Sequence, residues 1–332
     1  MAKKNQNEPG VFKTSIGGQA LIEGILMRGP KKQAIVCRKA DGSTVNKVES
    51  LRLNRDDHPI LGVPFLRGVP MFVDSLANGM KAITWSAEQL PEEEQEAPSK
   101  LDLWLEKKLG SEAAQKAVLA IAVVLGAALA IGLFVLLPAL LFELLPQSLH
   151  LVLRCVIEGV IRIAIFLAYL WLVTRLEDIK RLFSYHGAEH KTIFCYEKGL
   201  ELTVENVRAQ SRFHPRCGTS FLIVTMLIAI LVVSVMTWVL SLIPGIAALP
   251  RVPAALVRVL GKLIVLPFIV SLTYELNRWV GRHDTNIFAR IFAWPGKLMQ
   301  HLTTREPDEG MMECAIEAMQ LVIPEEKGAD AW

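Results

Sequence analysis

Two histidines one helical turn apart, with a carboxylate beside them, form the group in this sequence best suited to chemistry. His186, Glu189 and His190 occur in the run HGAEHK, within a basic stretch between two long apolar segments. Side chains four residues apart share one face of a helix, so both imidazole rings can converge on one cation. Glu189 would then be close enough to act as the general base for a water molecule at that cation.

A catalytic zinc ion usually has three protein ligands and one open position, so the two histidines need at least one more donor. The segment SRFHPRCG offers His214 and Cys217, while Glu275 and His283 are more remote candidates. Nitrogen and sulfur donors suit zinc better than magnesium or calcium. The sequence therefore predicts a divalent metal ion, with zinc as the best match, held by the histidine pair and one or both of His214 and Cys217.

The histidine pair also has a simpler interpretation. The order H-x-x-E-H is that of the inverted zinc peptidases, in which two histidines bind zinc and the glutamate is the base. The match to that class covers five residues and no more of this chain. Two histidines near a membrane surface can instead hydrogen-bond to carboxylates or lipid phosphates without any metal. Both interpretations stay open at the level of sequence.

Four apolar segments surround this group and are long enough to span a bilayer. Hydrophobic residues make up 52% of the chain, and they are concentrated in runs too long for ordinary core helices. The segments cover residues 117–142, 151–173, 220–243 and 254–276. Between the second and third, a helix is predicted from Arg175 to Lys198 with Gly199 as its C-cap.

Two of these apolar segments contain charged residues. Arg154, Glu158 and Arg162 are spaced to share one helical face in the second segment. That face should contact protein rather than lipid, either as a structural ion pair or as a path for protons or ions. Arg258 and Lys262 lie near the start of the fourth segment, where their long side chains could snorkel towards the lipid headgroups.

The charges of the loops predict the orientation. The loop between the second and third segments is rich in basic residues, namely Arg175, Lys180, Arg181, Lys191, Lys198, Arg208, Arg212 and Arg216. The loop at residues 143–150 has no Lys or Arg, and the loop between the third and fourth segments has only Arg251. The positive-inside rule then places both termini and the histidine-rich loop in the cytoplasm. We expect a multi-pass protein of the bacterial inner membrane.

The predicted fold is a polytopic α-helical membrane protein with about four transmembrane helices and a small cytoplasmic N-terminal α+β module. Asp41-Gly42 predicts a hairpin turn in that module, and an amphipathic helix follows up to about Glu88. The predicted divisions are a hairpin and helix module at 13–90, an acidic linker and amphipathic helix at 91–116, a membrane domain at 117–280 that includes the loop 174–219, and an amphipathic C-terminal segment at 281–332.

Three smaller features have structural interpretations. The glycines of GGQALIEG lack the phosphate-binding fingerprints and indicate a tight turn. Glu23 and Arg28 could reach the metal site, although surface ion pairing is favoured. His283-Asp284 is a candidate metal or proton-relay pair, but a turn that ends a helix is favoured, and the segment from Asn286 to Leu302 reads as an interfacial helix.

Charge and cysteine content exclude two classes of protein. A net charge of +3 is too small to suggest a nucleic-acid partner, so the basic residues are assigned to topology and to contacts with anionic lipid. Five scattered cysteines do not form a disulfide framework. In a reducing cytoplasm they stay thiols, which leaves Cys217 free to bind metal.

Several long phrases of this chain resemble one family. They are GGQALIEGILMRGP, LRGVPMFVDSL, SYHGAEHKTIFCYEKG, SRFHPRCGTSFL and EPDEGMMECAIEAM. These phrases are similar to those of the YqhQ-like family of bacterial membrane proteins, a domain of unknown function that is commonly described as a candidate metal-dependent enzyme. The resemblance covers nearly the whole chain and implies the membrane fold and topology of that family.

Two classes of function remain open, with the lipid bilayer as a partner in both. In the first, the protein is a metal-dependent hydrolase that acts at the cytoplasmic leaflet, with Glu189 as base. In the second, it is a non-catalytic adaptor or assembly factor with a structural metal clip, and its N-terminal module binds a cytoplasmic protein. A shell of four protein ligands favours the adaptor, and an open position favours the enzyme. A transporter is a third and weaker alternative for the function, because no inverted repeat is visible in the sequence.

The loop charges predict the outcome of a topology experiment. Reporter fusions after residues 110, 147, 200, 248 and 310 should read inside, outside, inside, outside and inside. An outside reading at 200 would contradict the predicted orientation, and it would also expose Cys217 to oxidation.

Overall fold

The computed structural model describes residues 12–51, 59–91, 104, 107–108, 110–146, 148–283, 286–326 and 328–331. Residues 92–100, which belong to the predicted acidic stretch, lie outside the described residues. Within the described residues the chain is mostly helical, and a small antiparallel sheet lies near its N-terminus.

The N-terminal sheet has four strands in the order of the chain, β1 (Gly17–Leu21), β2 (Gly24–Arg28), β3 (Lys32–Arg38) and β4 (Thr44–Ser50). The predicted hairpin is confirmed as β3 and β4, and Gly42 in its turn has a φ of 83°, which glycine adopts without strain. The segment GGQALIEG does turn tightly, but residues on both sides of the turn extend as β1 and β2. The sheet is therefore twice the size of the predicted hairpin.

The helices follow in sequence. Their bounds are α1 (Gly68–Ala87), α2 (Ser111–Ile131), α3 (Leu137–Leu144), α4 (Leu151–Val173), α5 (Glu177–Glu197), α6 (Val204–Arg208), α7 (Gly218–Ser241), α8 (Pro244–Ala247), α9 (Arg251–Arg282), α10 (Ile287–Thr303) and α11 (Glu309–Val322). A π-helical turn at Gly132–Leu136 joins α2 to α3 without interrupting the helix. A short 3-10 turn at Pro59–Gly62 precedes α1.

Four helical stretches are long and apolar enough to cross a membrane, which confirms the predicted apolar helices by length and composition. They are Ala117–Leu144, Leu153–Val173, Phe221–Ser241 and Val252–Arg282. The last extends further than the predicted 254–276, because the helix continues through Asn277 to Arg282 despite its polar sequence. The helix predicted at 286–302 is confirmed as α10, with the Asn286 side chain accepting a hydrogen bond from the N–H of Phe288 at 2.8 Å.

Packing divides the chain into two units that differ from the divisions predicted from sequence. The first unit contains the described residues of 1–91, 171–225 and 270–332, and the second contains those of 92–170 and 226–269. The N-terminal module, the histidine-rich loop and the C-terminal segment were predicted as parts of three separate divisions. All three pack into the first unit.

Helix α11 is the reason that these segments pack together. Asp308 caps its first turn by accepting a hydrogen bond from the N–H of Met311 at 2.8 Å. Met312 and Met319 are fully buried on the stripe that faces the sheet and α5, where they meet Met27 of β2 and Tyr185 of α5 in one core. The C-terminal segment is therefore a core element of the first unit.

In the second unit, buried charges are paired. Glu158 accepts hydrogen bonds from Arg162 at 3.0 Å and from Lys262 at 2.5 Å, and all three side chains are nearly inaccessible. The expected pairing of Glu158 with Arg162 is present. Arg154 does not join this group, because its guanidinium donates to the carbonyl of Phe142 at 3.1 Å.

The expectation that Arg258 and Lys262 snorkel towards headgroups is wrong. Lys262 binds Glu158, and Arg258 forms an ion pair with Glu143. An ionised side chain inside a set of apolar helices is costly, and a carboxylate on a neighbouring helix offsets this cost more directly than a long reach to the surface.

Candidate metal centre

Helix α5 carries the histidine pair and ends as the sequence predicts. Gly199 has a φ of 64°, its N–H donates to Tyr196 O at 2.9 Å, and the N–H of Leu200 donates to Cys195 O at 3.2 Å. These two bonds form a Schellman motif, which needs a residue that tolerates a left-handed conformation. His186 and His190 lie one turn apart on this helix, with ring centroids 4.4 Å from each other.

Three side chains converge into one group that could hold a metal ion. One ligand atom from each of His186, His190 and Cys217 lies within 4.8 Å of the others. Zinc binds imidazole nitrogen at about 2.1 Å and thiolate sulfur at about 2.3 Å, so two ligands of one ion lie up to roughly 4.4 Å apart. The group is therefore close to the size that a zinc ion requires. Among the described residues, no other group of three or more His, Cys, Asp or Glu side chains could hold a metal ion in this way.

Backbone carbonyls fix the tautomer of both histidines. The Nδ1 atom of His186 lies 2.8 Å from the carbonyl oxygen of Thr303, and Nδ1 of His190 lies 2.5 Å from that of Arg212. A carbonyl oxygen only accepts, so each Nδ1 must carry a proton, and the lone pair that an imidazole offers to a metal would then lie on Nε2. Metal-bound histidines typically have this arrangement, in which the other ring nitrogen donates to a carbonyl.

The Nε2 atom of His190 is a buried polar atom that a cation could contact. His190 is 1% exposed, and its Nε2 has no hydrogen-bond partner among the described residues. A buried polar atom without a partner costs free energy, and such atoms are rare in native structures. The Nε2 atom of His186 lies 3.1 Å from Cys217 Sγ. A cation between the three donors would give each lone pair a partner, so the residues fit a metal ion.

Cys217 lies immediately before α7 and is partly accessible. Its sulfur is 3.1 Å from Thr219 Oγ1 and 3.4 Å from the backbone N of Thr219. The thiolate is the form of cysteine that binds metal.

His214 lies beside the group but is not part of it. Its ring centroid is 5.6 Å from that of His190, while its Nε2 lies 3.6 Å from an oxygen of Glu197. Gln300 binds both backbone groups of His214, each at 2.8 Å, and so fixes this loop against α10. Burial lowers the pKa of His214 to about 4, which leaves the ring neutral at physiological pH.

Glu189 is buried and lies outside the group of three donors. Its carboxylate accepts a hydrogen bond from the N–H of Gly18 in β1 at 3.0 Å. Burial raises the pKa of Glu189, because the charged form loses its hydration, and His186 partly opposes that rise. The backbone of β1 thus fixes a carboxyl group that takes up a proton more readily than an exposed one.

Two glycines allow the close contacts around α5. A Cβ on Gly18 would lie 2.6 Å from Leu26 O and 3.0 Å from the Cδ of Glu189, so only glycine fits at this position. A Cβ on Gly187 would overlap the carbonyl oxygen of Arg305. Gly187 therefore lets the chain after α10 approach α5 closely enough for Thr303 to bind His186.

The structure does not bring the remote candidates to the centre. Glu275 binds Arg67 with both oxygens, at 2.7 and 2.6 Å. His283 stacks on Trp279 and its Nδ1 is 2.9 Å from the carbonyl of that residue, while Asp284 lies outside the described residues.

Glu23 forms the ion pair favoured from sequence. It binds Arg181 with both carboxylate oxygens at 2.5 Å, although its φ of 47° is unusual for a residue other than glycine. This pair joins the turn between β1 and β2 to α5, the helix that carries the histidines.

Sequence reasoning missed the groups that position the candidate ligands. Thr303, Arg212 and Gln300 act through backbone carbonyls or an amide, and no residue pattern marks such roles. Gly18 had a visible signal in the glycines of GGQALIEG, which indicated a tight turn without indicating Glu189 as the contact of Gly18.

Two comparisons with known proteins give a family but no activity. The model of a family described as "Protein of unknown function (DUF1385)" matches residues 63–325. The chain is also 32% identical over 312 residues to the uncharacterized protein YqhQ of Bacillus subtilis (strain 168), and the match covers 92% of each chain. These matches confirm the resemblance found in the sequence. No solved structure matches the chain.

The neighbouring glycines of β1 provide a matched pair of substitutions. Gly18→Ala should lower the free energy of unfolding by about 1–3 kcal/mol, because its methyl group would collide with Leu26 and Glu189. Gly17→Ala adds the same methyl group where no atom lies within 4 Å, so it should have little effect. Thermal unfolding of the purified protein in detergent measures both. Equal melting temperatures for the two variants would contradict the close contact at Gly18.

Proposed function

We propose that this chain, which belongs to the DUF1385 family of proteins of unknown function, is a metal-dependent membrane enzyme that works at the cytoplasmic leaflet. The observation that carries the proposal is the pair of histidines whose Nδ1 atoms bind backbone carbonyls, so that both Nε2 lone pairs remain available beside Cys217. Nitrogen and thiolate donors in this combination suit zinc. The cytoplasmic side follows from the charges of the loops.

The number of donors favours an enzyme over a structural clip. Three protein ligands with room for one more are typical of catalytic zinc, whereas structural zinc usually has four. His186, His190 and Cys217 form the group of three, and the ring of His214 lies outside it, with its Nδ1 accepting a hydrogen bond from the N–H of Arg216 at 3.4 Å.

The residues around the centre have separable roles. A divalent ion held by the three donors would supply a Lewis acid for attack on a carbonyl or phosphoryl group, which makes hydrolysis the reaction class we propose. Glu189 holds or releases a proton at its carboxyl group, and its raised pKa brings it nearer to the range in which a general base works at neutral pH. The N–H of Gly18 orients this carboxyl group.

The adaptor remains the second candidate because of His214. Its ring lies next to that of His190, and it is buried and neutral, as a metal ligand must be. If the loop at 212–217 moved so that His214 joined the group, four protein ligands would enclose the ion. The protein would then hold a structural metal, and the N-terminal module would be the part that binds a protein partner.

Removal of both histidines tests the metal centre. The variant His186→Ala/His190→Ala should lose metal by roughly tenfold or more, because two of three donors disappear. Its membrane insertion should be unchanged, since the apolar helices determine insertion. Elemental analysis of the detergent-purified protein gives the metal content. His283→Ala is the matched control, because it removes an exposed imidazole that lies outside the group. Full metal occupancy in the double variant would exclude the site.

Glu189→Gln distinguishes the enzyme from the adaptor. The amide oxygen can still accept from Gly18 N–H, so fold and metal content should be preserved, whereas an enzyme would lose its base and its function. Complementation of a deletion phenotype measures function, and elemental analysis of the same variant measures metal content. Glu177→Gln is the control, because it removes an exposed carboxylate from the same helix. Normal complementation by a metal-replete Glu189→Gln protein would favour the adaptor.

A further inference from the structure

A groove of about 510 Å³ lies between the end of α9, the start and middle of α10, and the loop before Cys217. Val280 and Gly281 of α9 form one wall, and Ile291 and Trp294 of α10 contribute to another. This volume is in the range of sites that hold a small organic ligand or a headgroup. The lining is mostly apolar, with a few charged side chains.

Among the described residues that line this groove, all the charged ones are basic. They are Arg216, Arg290 and Lys297. The side chain of Arg216 is 6% exposed and forms an ion pair with Glu197, so its charge is neutralised within the protein. Arg290 and Lys297 are exposed, and no ion pair joins either of them to another described residue. Among the described residues the groove therefore offers two cations without a carboxylate partner, and a ligand that complements them carries negative charge.

The groove lies where the chain leaves an apolar helix. The candidate membrane span Val252–Arg282 ends next to it, and only residues 283–286 separate that span from α10. Helix α10 exposes large apolar side chains, among them Phe288, Ile291 and Leu298. Trp294 lies among them, and tryptophan is enriched at the boundary between lipid and water. An anionic lipid complements such a boundary, because its headgroup carries the charge and its apolar part lies beside it.

The same elements hold the metal centre. Pro215 and Arg216 of the groove directly precede Cys217. One turn after Lys297 on α10, Gln300 binds the backbone of His214, and Thr303 accepts the hydrogen bond from His186. A molecule in the groove would thus contact the loop and the helix that position the three donors.

We propose that this groove binds the phosphate headgroup of an anionic phospholipid, and that such lipids are the substrate class of the centre. The second part rests on the function proposed above. Arg290 and Lys297 bind the phosphate oxygens through charge-assisted hydrogen bonds, and the apolar walls contact the glycerol and the start of the acyl chains. Two basic residues seven positions apart on α10 share one face of the helix, so both can reach one headgroup.

Quenching of tryptophan fluorescence by brominated lipids tests the groove. The full chain is reconstituted into phosphatidylcholine vesicles that contain the same small fraction of either brominated phosphatidylglycerol or brominated phosphatidylcholine. The anionic lipid should quench more strongly, and Trp294→Phe should remove most of the excess, because Trp294 lines the groove. Each basic side chain near an anionic lipid contributes a factor of about five to affinity, so Arg290→Gln/Lys297→Gln should weaken the preference roughly 25-fold.

A matched control removes the same charge elsewhere. Lys31→Gln/Lys39→Gln takes two exposed lysines from the N-terminal sheet region and should keep the full preference. Equal quenching by both lipids in the unmodified protein would overturn the proposal. So would an equal loss in both double variants, which would indicate attraction to overall charge alone. Removal of the excess by millimolar inorganic phosphate would also overturn it, since the groove would then be a site for a soluble anion.

Metal content measured on the same samples separates the two proposals. Arg290→Gln/Lys297→Gln should retain metal, because neither side chain belongs to the donor group. A protein that keeps the lipid preference but binds no metal would overturn the proposed enzyme and leave the headgroup site standing. A protein that binds metal without any lipid preference would overturn the headgroup site and leave the metal centre standing.

Discussion

The centre of this protein depends on two hydrogen bonds from histidine to the backbone. Thr303 and Arg212 are far apart in the chain, yet each presents a carbonyl oxygen to one Nδ1 atom on the same face of α5. These bonds fix the tautomer and the orientation of both rings. Without them, either nitrogen of each ring could carry the proton, and the lone pair of His190 would not be confined to its buried Nε2.

Those carbonyls are in place because three separate parts of the chain share one core. Helix α11 buries Met312 and Met319 against the sheet and α5, which ties the C-terminal residues to the N-terminal ones. Gly187 then lets the segment before α11 lie directly on α5, and Gly18 brings β1 to Glu189. Helix α5 is therefore held from two sides, which limits the flexibility of the candidate ligands that it carries.

The buried charges of the second unit follow the same requirement for satisfied partners. Glu158 joins Arg162 of its own helix to Lys262 of α9, and Glu143 joins Arg258. For an isolated apolar helix, the surrounding water is the only partner for a lysine or arginine. In the folded protein, a neighbouring helix can supply a carboxylate at much shorter range. This difference explains why snorkelling was expected from the sequence and pairing was found.

The sequence by itself determined the local features. Apolar runs gave the four long helices, Asp41-Gly42 gave the β3–β4 turn, Gly199 ended α5, and the four-residue spacing put His186 and His190 on one face. These depend on hydropathy and backbone preferences that act over a few residues. Only the tertiary structure decided that Cys217 rather than Glu275 joins the histidines, that β1 meets Glu189, and that the C-terminal helix completes the core. Such contacts join residues far apart in the chain, and their energies depend on burial and on shape, which no single segment contains.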